Sequence, residues 1–258
     1  MHQLRTLQPG DEAALDAFLA QHADTSMFLR ANARAAGLVD RGEPLQGTYV
    51  AAVAREAVRR SRRAVSGLSG PWDQVVAARH ALGLGAARAT KDSREELYVL
   101  NLTDLVLPPA VASGALRCRH PEERELDLLT DWRARFAIEA LGATDGAELR
   151  AASSAEVRGF RHRGADWLLL EGTTPLAYAV FNAMLPDIVQ IGGVWTPPAL
   201  RGRGYARGVV AGSLFAARKQ GVRRAVLFAD PLNAAARKAY LALGFRIVGD
   251  YGLVLLAR

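Results

Sequence analysis

From Trp167 to Phe245 the chain alternates apolar runs of strand length with segments whose apolar residues recur every three or four positions. Trp167 to Glu171 reads as a strand, Gly172 to Pro175 as a turn, and Leu176 to Met184 as the returning strand. Leu185-Pro186-Asp187 turns the chain again before a third strand, Ile188 to Trp195. Gly192-Gly193 interrupts that run, which predicts a bulge or the close approach of another backbone. Ala206, Val209, Val210, Ser213, Leu214 and Ala217 then form an i, i+3/i+4 stripe, the buried face of a helix that Gly221 ends. Arg224 to Ala229 is a buried strand, and a helix from about Asn233 to Leu243 stops at Gly244. Arg246 to Val248 and Gly252 to Leu256 close the sheet as short strands. Upstream, Asp127 to Leu141 is a helix with Leu128, Leu129, Trp132, Phe136 and Ile138 as its apolar residues.

The first half of the chain is a fainter version of the same order. Ala64 to Ser69 reads as a strand, Gly70-Pro71-Trp72-Asp73 opens a helix reaching Leu82, and Gly83-Leu84 follows. GPWDQVVAARHALGL and DPLNAAARKAYLALGF share a turn, a helix opening, an Ala/Arg-rich body and a closing Gly-apolar pair, the signature of an internal repeat. A helix near Ala54 to Arg63 has no glycine turn before it, and no strand is evident between Gly47 and Arg55. Leu97 to Leu107 would supply closing strands, and Pro108-Pro109 to Pro121 a connector. The expected architecture is α/β, a mixed sheet flanked by helices. Residues 1–118 form a degenerate and shortened half, and residues 119–258 the functional one.

Composition narrows the partners. Half of the 258 residues are apolar, enough for an ordinary core, and the apolar runs are shorter than the ~20 residues that span a bilayer. The N-terminus, MHQLRTLQPGDEAALDAF, carries no apolar segment of the signal-peptide kind, so the expected location is cytoplasmic, without membrane partners. Cys118 is the single cysteine and reads as a small core side chain. The net charge is +7, and arginine supplies nearly all of the positive side, with Lys91, Lys219 and Lys238 the only lysines. The Arg55 to Arg63 run reads as a solvated helix face rather than a nucleic-acid reader. The positive potential suits attraction of an anionic cofactor. Pervasive Arg and Ala fit a GC-rich, bacterial coding bias.

The chemistry concentrates between Val194 and Phe245. A strand feeding a glycine-rich turn and then a helix gathers unpaired backbone N–H groups at one point, a cradle for pyrophosphate. Gly202 and Gly204 let the backbone approach a phosphate without a Cβ in the way. The N–H groups from Gly202 to Arg207, through Arg203, Tyr205 and Ala206, then face the anion, and Arg201, Arg203 and Arg207 add charge-assisted contacts.

Arg201-Gly202-Arg203-Gly204-Tyr205-Ala206 matches the Q/R-x-x-G-x-G/A turn of the GCN5-related N-acetyltransferase (GNAT) superfamily. Asn233, Ala236, Tyr240 and Gly244-Phe245 match its N-x-x-A-x-x-x-Y-x-x-x-G-F pattern, in the same order and at the same separation. From about Asp127 onward the chain resembles that family, and the faint repeat resembles its tandem members with one half lacking cofactor binding. The resemblance implies acetyl-CoA as acyl donor and a small-molecule or peptide amine as acceptor, joined by direct attack on the thioester. It implies that the strand before the turn splays from its neighbour to admit the pantetheine arm. The main-chain N–H that polarises the thioester carbonyl then falls on Val194, Trp195 or Thr196. It gives Asn233, itself a good N-cap, an amide contact to the cofactor, and gives Tyr240 the protonation of the departing thiolate.

Many relatives place a Glu five residues before the motif asparagine, where this chain has Phe228. Glu139, Asp230 and a water relay are the candidate routes for deprotonating the amine. Glu171 reads as an exposed strand end and His162 as part of a surface loop. Trp132, Trp167 and Phe181 read first as core and second as lining of an acceptor cleft. No His/Cys set has metal-ligand spacing. Two other classes stay open: a non-catalytic acetyl-CoA sensor, and a basic nucleic-acid-associated protein. A homodimer is compatible with all of them.

Overall fold

In a computed structural model of the chain, residues 6–41, 58, 59, 62 and 64–257 are described. The Arg55 to Arg63 run, the helix expected near Ala54 to Arg63 and the segment Gly47 to Arg55 lie almost wholly outside these. The chain divides into two compact units, Met1–Glu95 with Asp250–Arg258, and Glu96–Gly249.

The first unit contains α1 (Glu12–Ala20), α2 (Met27–Ala36), β1 (Gly67–Pro71) and α3 (Trp72–Ala81), with the first part of β2 (Ala89–Asn101) and the last part of β8 (Arg246–Leu256). Arg30 joins α2 to α1 through Asp16 at 2.8 Å. β1 pairs antiparallel with β8 from Gly67↔Leu255 to Pro71↔Tyr251. Gly252 has no Cβ because Val75 of α3 lies against it, 2.8 Å from where that atom would be. β8 is one continuous strand, whereas two short ones were expected. The polar, exposed Gly249-Asp250 in its middle breaks the apolar pattern but not the backbone.

The second unit is a mixed sheet in the order β2-β7-β6-β5-β4-β3, with helices on both faces. Its elements are α4 (Pro109–Ala112), β3 (Leu116–Arg119), α5 (Leu126–Leu141), α6 (Ala147–His162), β4 (Asp166–Glu171), β5 (Thr174–Met184), β6 (Ile188–Trp195), α7 (Tyr205–Lys219), β7 (Arg224–Ala229) and α8 (Ala234–Ala242). The strands from β4 to β7 and the helices α5, α7 and α8 lie where the apolar pattern puts them. Three features differ. Leu97 to Asn101, expected to close the first half, pairs antiparallel with β7 instead, from Leu97↔Phe228 to Asn101↔Arg224. The expected connector contains β3, which pairs with β4. α6 carries few apolar residues, burying Val157, Phe160 and Ser153, so its period is hard to read in advance; His162 is its exposed last residue rather than a loop residue.

α7 lies close on the sheet because its contact face is built from small residues, Gly208, Ala211, Gly212 and Ser213 among them. A Cβ on Gly208 would come within 2.9 Å of Leu169, and one on Gly212 would overlap Cys118 of β3. Cys118 is accordingly packed against α7, and burial pushes its thiol up to about 12. Gly212→Val therefore overpacks the helix–sheet contact and should destabilise the protein by about 1–3 kcal/mol. Thermal melts would read this, and adding Cys118→Ala should restore part of the loss. An unchanged melting temperature in the single variant would contradict the packing described.

Candidate active site

The site begins with a broken ladder. β6 pairs antiparallel with β5 along its length, from Met184↔Val189 to Tyr178↔Trp195. On its other edge it pairs parallel with β7 only from Ile188↔Arg224 to Gln190↔Val226. Beyond Gln190 the β7-facing edge of β6, from Ile191 to Trp195, has no strand partner among the described residues, while β7 continues paired to β2 as far as Ala229. Two parallel strands that separate at their carboxyl ends leave a wedge lined by backbone groups, a recurrent place for ligands in α/β sheets. The ladder irregularity between Tyr178 and Val180 sets three steps on β6 against two on β5, so the paired glycines do mark a bulge. Gly193 has φ +54°, a left-handed conformation that glycine adopts without strain.

Past Trp195, the segment Pro197 to Leu200 turns the chain into the glycine-rich loop. Gly202 and Gly204 have φ +78° and +82°, and Gly204 is the N-cap of α7. No side chain caps that helix, and its first intrahelical bond runs from Gly208 N–H to Gly204 O at 2.9 Å. The N–H groups of Tyr205, Ala206 and Arg207 are thus directed out of the helix start, with its positive dipole end behind them. A Cβ on Gly202 would meet nothing within 4 Å, so this position of the loop faces open space. Arg203 is exposed, and Arg207 has a buried Nε without a protein partner. This donor set suits a pyrophosphate.

Arg201 is turned elsewhere. Its guanidinium lies 4.8 Å from the Trp195 ring centroid, donates from Nε to Thr196 O at 3.1 Å, and donates to Glu139 of α5 at 2.8 Å. It straps the end of β6 to α5, and Glu139 is the other half of that strap. Trp195 Nε1 and Thr196 Oγ1 are buried without partners. Val194 is half-buried against the core.

After β7, Asn233 caps α8 by accepting from Ala236 N–H at 3.0 Å. Two turns on, Tyr240 packs edge-on against Tyr98 of β2 and against Phe245, with ring centroids 5.6 and 6.0 Å apart. Burial pushes its phenol up to about 12, so the hydroxyl is protonated at neutral pH. Tyr98 donates to Glu96, which also pairs with Arg237 of α8 at 3.2 Å. Glu96 and Tyr98 carried no local signal in the sequence, since only the pairing of β2 with β7 brings them to α8.

Among the remaining candidates, Phe228 lies on β7 in register with Leu97. Asp230 is occupied, accepting from Leu232 N–H at 2.8 Å, and Glu171 is exposed at a strand end. Trp132, Trp167 and Phe181 all belong to the core. Trp167 and Phe181 also line a groove with Ala217 and Gln220 at the far end of α7, away from the wedge. No group of three His, Cys, Asp or Glu side chains that could hold a metal occurs among the described residues. No helix among them is long and apolar enough to cross a membrane.

A sequence profile of the acetyltransferase (GNAT) family matches residues 126–245. These residues form a GNAT acetyltransferase domain. The fold agrees along nearly the whole chain. A Drosophila protein of known structure aligns with TM-score 0.66 at 12% identity, covering 98% of each chain. A GCN5-related N-acetyltransferase from Sphaerobacter thermophilus aligns with TM-score 0.56 at 16% identity, covering 98% of this chain and 94% of its own. A GNAT-family acetyltransferase from Colwellia psychrerythraea gives 0.53 at 15% identity, covering 99% and 100%. No curated protein sequence matches the chain significantly. The GNAT domain contains every element of the wedge and of the glycine loop, while β2, which carries Glu96 and Tyr98, precedes it.

Proposed function

We propose that the protein transfers an acetyl group from acetyl-CoA to a primary amine by direct attack on the thioester. The observation that carries this reading is the coincidence of the β6–β7 wedge with the unsatisfied N–H groups at the start of α7. Together they suit a long thioester whose pyrophosphate needs donors at one end and whose arm needs bare strand edge along its length. Gly202 to Arg207 would hold the phosphates, with Arg203 and Arg207 adding charge. Asn233 would contact the cofactor from the start of α8. The free backbone edge at Val194, Trp195 and Thr196 would hold the arm and polarise the carbonyl. Acetyl-CoA supplies an activated carbonyl carbon.

The chain's own groups then orient and move protons. Transfer forms a C–N bond to the acyl carbon and breaks its C–S bond; one amine proton passes to solvent water, and the Tyr240 hydroxyl gives its proton to the departing sulfur, to be replaced from solvent. Glu139, held by Arg201, acts in this reading through the position of Trp195 and Thr196. Water takes the amine proton. The reading extends to a cytoplasmic location, an expectation of the sequence alone, and to residues 1–118 as a degenerate GNAT-like half, for which the likeness of fold over nearly the full chain is the support.

The test is calorimetry of the purified chain with coenzyme A, followed by an amine screen that reads thiol release from acetyl-CoA. Heat of binding and thiol release with some amines are expected. Heat without release across a broad screen would favour the acetyl-CoA sensor. No heat, with steeply salt-dependent binding to DNA or RNA, would favour a nucleic-acid role.

A further inference from the structure

The face of the sheet that carries α5 contains a polar group set that donor binding does not use. Arg133 of α5 is almost covered, with 12% of its side chain exposed, and its Nε pairs with Glu156 of α6 at 2.5 Å. Its other end reaches the β6 bulge: a Cβ on Gly193 would come within 3.0 Å of Arg133 Nη1. The neighbouring Gly192 lacks a Cβ because the Asn182 side-chain amide occupies that position. The two glycines therefore make room for a guanidinium and an amide side by side over the strand that forms one wall of the wedge.

A second observation comes from the same strand. Gln190 is 3% exposed, and its Oε1 has no hydrogen-bond partner. It sits at the last residue pair before β6 and β7 part, two residues before the first bulge glycine. A buried amide oxygen left without a donor is unfavourable, and a ligand N–H at the apex of the wedge would satisfy it.

We infer that Arg133, Asn182 and Gln190 form the acceptor subsite, and that the acceptor is a small amine carrying a carboxylate. The carboxylate takes the Arg133 terminal nitrogens and the Asn182 amide, and the amine N–H takes Gln190 Oε1. Planar two-point donation from guanidinium fits a carboxylate. Glu156 already offsets part of the Arg133 charge, which suits a monoanion better than a phosphate dianion. The inference rests on the acetyltransferase reading above and assigns its acceptor class.

The test uses matched pairs, glycine with glycinamide and phenylalanine with phenylalaninamide, in acetyl-CoA thiol-release assays on the full chain. The native protein should prefer the carboxylate member by about tenfold or more in kcat/KM, the scale of one charge-assisted contact. Arg133→Gln should remove the preference by raising KM for the carboxylates, with kcat and CoA affinity retained. Glu156→Gln should sharpen the preference, and it keeps the test decisive if Arg133→Gln does not fold. Equal use of both members by native protein, or no response of the preference to either variant, overturns the inference. So does CoA binding with thiol release only from amines without a carboxylate, which leaves the acetyltransferase reading standing. Absence of CoA binding to native protein would instead defeat that reading itself.

Discussion

Gly204→Glu should weaken coenzyme A binding by at least a hundredfold, roughly 2.8 kcal/mol by the tenfold-per-1.4 rule. Two effects act together at this position. Its φ of +82° is left-handed, and a residue with a Cβ costs about 1–2 kcal/mol there. The new carboxylate also stands at the mouth of the α7 N-terminus, where the bare N–H groups and helix dipole favour an anion and where the ligand's phosphates would now meet a like charge. Gly204→Ala separates the two: it keeps the backbone strain without the charge, so it should lower the melting temperature similarly but weaken coenzyme A far less. Isothermal titration of both variants reads the difference. Equal affinity of parent and Gly204→Glu would remove pyrophosphate from this loop and with it the proposed donor.

The backbone part of this site was legible in the sequence because glycine reports backbone directly. Gly202 and Gly204 announce a loop of positive φ, and Gly192-Gly193 announces the bulge. Strands and helices with full apolar periods, such as Arg224 to Ala229 and the Val209 to Ala217 stripe, were equally readable. Side-chain direction was not. Arg201 lies inside the motif yet points to Glu139 and Trp195, and nothing local distinguishes it from Arg203 or Arg207. Arg133 is one arginine of many in an arginine-rich chain, and only packing beside Gly193 sets it apart. Gln190 did leave a signal, a single amide in the apolar run Ile188 to Trp195, of the kind that is buried only with a purpose. Leu97 to Asn101 illustrates another limit: its own pattern says strand, but the choice of β7 as partner depends on residues more than a hundred positions away.

Tyr240→Phe should lower kcat by about a hundredfold or more, the usual scale for loss of a positioned general acid, while leaving coenzyme A affinity within about twofold, since the ring and its contacts with Tyr98 and Phe245 stay in place. The pH behaviour makes the assignment sharper. With its phenol pushed up to about 12 by burial, Tyr240 stays protonated through any ordinary assay range, so the native rate should show no alkaline limb from this group below about pH 10. The same shift has a stability consequence of definite sign. Between the unfolded value near 10 and the folded value, the unfolded chain has released the proton and the native protein has kept it, so native stability falls as pH rises through that window and is fully present below it. Burial raises Tyr98 and Tyr178 in the same direction, so the alkaline loss is shared among them. Tyr240→Phe should therefore melt less steeply than the parent between about pH 10 and 12, without abolishing the trend. An unchanged kcat in this variant would remove the acid role from Tyr240 and leave protonation of the sulfur to solvent in the wedge.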